Sequence, residues 1–188
     1  MRKKITFYRF FPAILALVLF AVPAALNGQG SKVNFSGDWV YNAEKSDIGQ
    51  PQGQAPGQAQ GQRPGGMPRG GYGGGDFTAK QAGNTLTVTR TFEGRDGSSN
   101  TMTSSYTLDG KESVNTSGMG ESKSVARWSA DGKVLTITTT RTMSRGSESR
   151  TMTSTEVWSL TDPKTLQIER TMPSPDGERK TKSVYTKK

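Results

Sequence analysis

The sequence predicts an all-β protein, an antiparallel up-and-down meander of about 8–10 strands closed into a barrel. Three segments, Leu86–Phe92, Leu135–Met143 and Leu166–Met172, repeat one alternation of apolar and polar residues. This period of two is typical of a strand with one dry face and one wet face. Turn-forming pairs such as Asp109-Gly110 and Asp131-Gly132 separate the alternating segments, as hairpins require. After residue 76 we find no segment with the apolar period of a helix.

The first 28 residues have the layout of a secretory signal peptide. Four basic residues among the first nine precede an uncharged apolar run at 10–26, and Ala21–Ala25 supplies small residues for cleavage. We therefore predict a signal-peptide helix at 1–28 that is removed on export to the periplasm or the extracellular space, leaving no transmembrane anchor. A retained membrane anchor is the alternative, but an apolar run of 17 residues with two prolines is short for a membrane span.

The composition excludes several classes of chemistry. The sequence has no cysteine and no histidine, which rules out disulfides, Ser-His-Asp triads and imidazole or thiolate metal sites. The carboxylates mostly fall in turns, and no pair of them is typical of a glycosidase. We therefore expect no catalytic activity, no cofactor and no metal site. Residues 29–188 carry 21 basic and 16 acidic residues, and this dispersed excess is not the clustered stripe of a nucleic-acid-binding surface.

The remaining chain divides into a first strand region at 29–48, a Gly/Pro/Gln-rich loop at 49–75 and the rest of the barrel domain at 76–188. The loop has too few apolar residues to offset the entropy of ordering it, so we expect it to be disordered. The predicted strands are 36–43, 76–82, 84–93, 99–108, 111–117, 122–130, 133–143, 148–160, 164–173 and 178–187. Short connections leave no room for crossovers, and the shared dry face must be buried. Closure into a barrel is the simpler solution, and a two-sheet sandwich is the alternative.

The turn positions give trial registers that separate the inward side chains into two layers. These registers pair Trp128 with Leu135, Trp158 with Leu166, Ser154 with Arg170, Leu86 with Tyr106, Arg90 with Met102, Leu166 with Tyr185, and Arg170 with Thr181. The aromatic residues then gather at one end of the barrel. The arginines gather at the other end, roughly 13 Å away along the strands.

Two interpretations of these arginines remain open. If they point inward, they can bind a carboxylate or phosphate head group bidentately while an apolar tail lies against neighbouring methionines. The candidate ligand-binding residues are then Arg90, Arg141, Arg170, Met102, Met143 and Met172. Alternatively, each arginine lies at the wet end of its strand with its guanidinium in water. Glu156 shares a face with Trp158, so it is a candidate partner for one of the arginines or for Lys133.

The segment Gly37-Asp38-Trp39, followed by a long loop and a meander, resembles the Gly-x-Trp opening of the lipocalin and calycin group. The surrounding residues 34–46 are also similar to bacterial exported proteins described as lipocalin-like. The resemblance implies an up-and-down barrel that holds a small hydrophobic molecule, with Gly37 and Trp39 closing its base. With the aromatic layer, the predicted structural residues of the barrel base are Gly37, Trp39, Tyr106, Trp128, Trp158 and Tyr185.

The sequence thus predicts an exported lipocalin-like barrel that binds a small hydrophobic or amphipathic, anionic ligand in its interior. The alternative is a non-enzymatic structural or interaction module of the cell envelope, with a filled barrel that presents its surface to an envelope protein.

Overall fold

The computed structural model describes residues 31–48, 74–93, 98–117, 120–145, 148–174 and 177–188. In these ranges the chain forms ten antiparallel strands. They are β1 (Gly37–Asp47), β2 (Phe77–Ala82), β3 (Thr85–Glu93), β4 (Ser99–Thr107), β5 (Glu112–Ser117), β6 (Gly120–Trp128), β7 (Val134–Arg145), β8 (Glu148–Asp162), β9 (Thr165–Ser174) and β10 (Gly177–Lys187). The predicted signal peptide and nearly all of the predicted 49–75 loop lie outside the described residues. No helix in the described ranges has the length and apolar character needed to cross a membrane.

The strands form one sheet in the order β4-β3-β2-β1-β10-β9-β8-β7-β6-β5. Every neighbouring pair is antiparallel, and β1 pairs with β10, so the first and last strands of the meander lie side by side. The sheet therefore curls into a nearly closed barrel, and the predicted all-β meander is confirmed. The structure is not the two-sheet sandwich that the sequence left as an alternative.

Turn chemistry explains why the strand bounds could be predicted closely. Asp109, Asp131 and Asp162 each accept a hydrogen bond from the backbone N–H two residues later, at 3.1, 3.1 and 2.8 Å. Such Asx turns compete with strand pairing and end it locally. Gly110 and Gly132 follow the first two aspartates with φ of 82° and 69°, the left-handed region that glycine adopts without strain. The largest difference in bounds is at β1, which continues to Asp47 rather than ending at 43.

The barrel is incomplete between β4 and β5, and no backbone ladder joins these two strands in the described part of the chain. Side chains of β5 bridge the gap instead. The Asn115 amide accepts the Ser105 N–H at 2.7 Å and donates to the Ser105 carbonyl at 3.0 Å. The Ser113 hydroxyl accepts the Thr107 N–H at 2.8 Å. The gap is therefore held by side-chain groups that take the place of a neighbouring strand's backbone.

Most of the trial registers are confirmed, because hairpin loop length fixes which residues face each other. The observed pairs include Trp128 with Leu135, Leu86 with Tyr106, Arg90 with Met102, Leu166 with Tyr185, and Arg170 with Thr181. The predicted register between β8 and β9 is wrong by two residues. A bulge between Leu160 and Asp162 shifts it, so that Trp158 faces Ile168 rather than Leu166, and Glu156 rather than Ser154 faces Arg170. A shift of two keeps every side chain on its own face.

The core lies at one end of the barrel, which we call the closed end. It is filled by aromatic side chains in edge and stacked contacts. Phe77 meets the rings of Trp158 and Tyr185 at centroid distances of 5.6 and 4.9 Å, and Phe35 meets Trp128 and Trp158, both at 5.7 Å. Aliphatic side chains complete it: Leu86, Val88, Leu108, Leu135, Ile137, Leu166 and Ile168. This cluster supplies the main hydrophobic stabilisation of the fold.

Candidate functional site

A charged cluster lies on the inward face of the barrel, next to the aromatic core. Arg170 of β9 forms an ion pair with Glu156 of β8, and their side chains are only 15% and 17% exposed. The Trp158 indole N–H donates a second hydrogen bond to Glu156, at 2.9 Å. The bulge in β8 creates this arrangement, because it places Arg170 directly opposite Glu156 on the neighbouring strand. Of the partners that the sequence left open for Glu156, the structure selects Arg170.

Arg90 of β3 belongs to the same cluster. The carbon of its guanidinium lies 4.5 Å from the centroid of the Phe77 ring, a cation–π contact between paired residues of β2 and β3. Its charge also stabilises the ionised form of Glu156. Arg170 thus pairs with the carboxylate directly and Arg90 acts on it through its charge, so the cluster formed by Arg90, Glu156 and Arg170 carries a net positive charge.

The ionisation of these groups follows from their burial and from their neighbours. Burial acts to raise the pKa of Glu156, but the positive charges of Arg170 and then Arg90 outweigh it and hold this pKa below its ordinary value. Burial acts to lower the pKa of Arg170, and Glu156 reverses that effect and raises it. Burial and the charge of Glu156 both raise the pKa of Tyr106. At neutral pH the cluster holds an ionised pair beside a neutral phenol.

The other predicted ligand-binding residues do not all join this cluster. Arg141 of β7 pairs in register with Met152 and Ser122, four residues beyond Ile137, which faces Glu156. It therefore lies roughly 13 Å further along the barrel. Of the three arginines predicted to gather toward one end, only Arg90 and Arg170 belong to this cluster, because β7 and β9 are staggered relative to each other. Met102, Met143 and Met172 are partly buried on inward-facing positions, and Met102 pairs directly with Arg90.

The residues predicted to form the barrel base lie at the closed end. Trp39, Trp158 and Tyr185 are each 1% exposed, whereas Tyr106 and Trp128 are partly buried against the same core. The ammonium of Lys187 lies 5.6 Å from the centroid of Trp39. A Cβ added to Gly37 would come within 2.4 Å of the Lys187 side chain. Gly37 therefore leaves the space in which Lys187 covers Trp39.

The sequence did not reveal the residues that close this end from outside. Residues 31–36, which we call the N-terminal plug, cross the closed end before β1 begins. Phe35 of the plug is fully buried, and its carbonyl accepts the Trp39 indole N–H at 2.9 Å. The Gln81 side chain accepts the Phe35 N–H at 3.1 Å and donates to the Val33 carbonyl at 3.0 Å. The Val33 N–H donates to the Gly132 carbonyl at 3.0 Å.

The fold is similar to that of a solved structure. It is the crystal structure of zebrafish ileal bile acid-binding protein complexed with cholic acid, with 18% sequence identity and a TM-score of 0.42. The alignment covers 60% of this chain and 72% of that chain. No protein-family model and no curated protein sequence matches the chain.

Proposed function

We propose that this protein is an exported lipocalin-like barrel that binds a small amphipathic anion in its interior and catalyses no reaction. The observation that supports the proposal is the net positive charge of the inner cluster: Glu156 is ion-paired with Arg170, and the guanidinium of the nearby Arg90 lies over the Phe77 ring. Charged groups are seldom placed inside a protein unless they are paired. A bound carboxylate or phosphate would balance the second guanidinium.

The arrangement also gives the ligand an orientation. Arg90 faces Met102 across β3 and β4, and Tyr106 lies next to the cluster as a neutral phenol that can donate a hydrogen bond. The anionic head group would bind Arg90 and Tyr106. The aromatic rings of the closed end leave little room below that level. The apolar tail would therefore run the other way, along the partly buried methionines Met102, Met143 and Met172.

A comparison of oleate with oleyl alcohol tests this proposal. Arg90→Met removes the guanidinium while it leaves the Arg170–Glu156 pair in place, so the variant should fold. The lost charge-assisted hydrogen bonds are worth about 1.5–3 kcal/mol, so we expect Arg90→Met to weaken oleate binding at least about tenfold and to change binding of the alcohol little. Fluorescence displacement or calorimetry gives both affinities.

A matched control is Lys180→Met, which removes a cation from the exposed, outward face of β10. We expect its oleate affinity to equal that of the unaltered protein. Equal oleate affinities for Arg90→Met and Lys180→Met would contradict the proposed role of the inner cluster. So would native mass spectra in which no amphipathic anion is retained by the purified or oleate-loaded protein.

The proposed export rests on the basic and apolar pattern of residues 1–28, which lie outside the described structure. Expression of the full chain in a bacterium with a secretory pathway tests it. We expect the intact mass of the product to correspond to cleavage after Ala24, Ala25 or Gly28, and the product to appear outside the cytoplasm. A full-length mass in the cytoplasmic fraction would contradict the proposal.

One observation favours the alternative of a filled barrel that acts as a structural or interaction module. The interior of the closed end is occupied by interlocking aromatic rings. Two grooves, of about 490 and 480 Å³, are lined mainly by turn residues and outward-facing positions, together with Lys32, Leu108 and Trp128. If the protein binds neither oleate nor oleyl alcohol, this second function is favoured. The same experiment therefore separates the two functions.

A further inference from the structure

The first of the two grooves lies at the outer side of the closed end and has a volume of about 490 Å³, within the range of roughly 300–1,000 Å³ that is usual for small-molecule sites. It is bounded by Lys32 of the N-terminal plug, by the β4–β5 turn at 108–110, by residues 127–130 and by Gly132. The second groove shares Arg127, Trp128 and Ser129 with the first. The two grooves therefore adjoin along Arg127 and Trp128.

The lining combines two cations with an aromatic ring. The ammonium of Lys32 lies 5.9 Å from the centroid of the Trp128 ring. The exposed Arg127 side chain reaches over the β4–β5 turn, where a Cβ on Gly110 would lie 3.7 Å from its Nε. Asp109, the acidic residue of the lining, is already engaged, because its carboxylate pairs with the Lys111 ammonium at 3.2 Å and accepts the Lys111 N–H. The groove is therefore suited to an anion.

The indole of Trp128 gives the groove its own spectroscopic reporter. Three tryptophans occur in the chain, and the indole N–H groups of Trp39 and Trp158 donate to Phe35 and Glu156. The Trp128 indole nitrogen is shielded from solvent and has no acceptor within hydrogen-bond distance among the described residues. Because this nitrogen has no exposed surface, a ligand in the groove would contact the ring of Trp128 rather than its N–H.

We propose that this groove is a second ligand site, separate from the barrel interior, for a small aromatic carboxylate. The carboxylate binds between Lys32 and Arg127, while the flat ring packs on the indole ring and on the apolar wall formed by Leu108 and Ala130. Cations recognise the charge, and the indole recognises the planar body. The proposal does not depend on the function proposed for the interior, because the two sites share no residue.

The three indole N–H groups make it possible to test the two sites separately. In a ¹H–¹⁵N spectrum, Trp128 reports on the groove, Trp158 reports on the inner cluster through Glu156, and Trp39 reports on the integrity of the closed end. Trp128→Phe assigns the groove signal by removing it. We expect 1-naphthoate to shift the Trp128 signal saturably, with a much smaller change at Trp158 and none at Trp39. Neutral 1-naphthalenemethanol should bind at least about tenfold more weakly, because it lacks the charge that Arg127 and Lys32 pair with.

Arg127→Met removes the exposed guanidinium without touching the core, so the fold should persist and the Trp39 signal should stay in place. We expect this variant to weaken 1-naphthoate binding at the Trp128 signal by about tenfold or more, whereas Lys180→Met leaves it unchanged. A shift confined to Trp158 would mean that the probe binds only inside the barrel, and would overturn the proposal. A shift that grows linearly without saturation, or equal affinity in Arg127→Met, would overturn it as well.

Discussion

Glu156 is the residue that allows the barrel interior to hold the charge of Arg170. Each side chain is less than a fifth exposed, so each would be strongly destabilising alone. They are tolerated because Glu156 accepts hydrogen bonds from both Arg170 and the Trp158 indole. The inner cluster is therefore a structural ion pair with one additional cation, Arg90.

We expect Arg170→Met to lower the free energy of unfolding by about 3–5 kcal/mol, because it leaves the Glu156 carboxylate buried with less compensation. Glu156→Gln should cost less, since a glutamine oxygen can still accept from Trp158. Urea denaturation measures both changes, and the double variant serves as the control: it should be more stable than Arg170→Met alone. A double variant that loses the sum of the two single losses would contradict the coupling between these residues.

The same pair makes stability depend on acidity. The pKa of Glu156 is lower in the folded protein than its ordinary value of 4.5. The stability that this shift contributes is fully present above the pKa of the unfolded chain, and it is lost as the pH falls through the folded pKa. We expect the stability difference between the unaltered protein and Glu156→Gln to be constant from pH 7 to about 5 and to shrink below that. A difference that stays constant into strong acid would show that Glu156 is not the titrating group.

At the scale of the strands, the gap between β4 and β5 has a defined chemical structure. Asn115 offers one acceptor and one donor to the backbone of Ser105, which is the pattern that a residue of a neighbouring antiparallel strand would offer. The Ser113 hydroxyl accepts the backbone N–H of Thr107. The edge of β4 is therefore partly satisfied without a strand partner, which limits edge-to-edge association.

Asn115→Ala tests whether this side chain holds the gap. We expect the Ser105 amide to exchange its hydrogen about fivefold faster in the variant, because a hydrogen bond of about 1 kcal/mol is removed from a site near solvent. The Thr107 amide, held by Ser113, is the internal control and should change little. If both amides keep their protection, the gap is closed by something other than Asn115.

The strand elements were largely predictable because their determinants are local. Alternation of apolar residues sets the faces, and aspartate-based turns set the ends, as at Asp109 and Asp131. The bulge near Leu160 was not predictable from the turn, because Asp162-Pro163 is compatible with more than one loop length. That single irregularity changed the predicted partner of Arg170 from Ser154 to Glu156. An error at the element scale therefore left open which residue pairs with Glu156.

At the scale of the whole molecule, the sequence predicted the meander, its closure and the aromatic end, since all three follow from the alternating pattern and from the need to bury one face. It did not predict the break between β4 and β5 or the N-terminal plug. The plug depends on contacts between residues far apart in sequence, such as Gln81 with Val33 and Phe35. No periodicity encodes such contacts. The stagger that separates Arg141 from Arg170 is likewise a property of the closed barrel.

We expect the N-terminal plug to contribute to the stability of the closed end. Phe35 is fully buried and contacts Trp128 and Trp158, so Phe35→Ala should lower the free energy of unfolding by about 3–5 kcal/mol. Phe35→Leu is the matched control and should cost about 1.5 kcal/mol or less, because it keeps most of the volume. Urea denaturation followed by tryptophan fluorescence measures both losses.

If the plug is an integral part of the barrel, Phe35→Ala should lower the urea concentration at the unfolding midpoint. Unfolding should still occur in a single transition, because the plug and the aromatic core unfold together. A decrease of less than about 1 kcal/mol in the free energy of unfolding would be close to the effect of a surface substitution. It would mean that the barrel closes without the plug. The strands alone would then stabilise the closed end, and the fold would not fix the position of Lys32 in the groove proposed as the second ligand site. The Phe35 measurement therefore bears on the second ligand site as well as on the core.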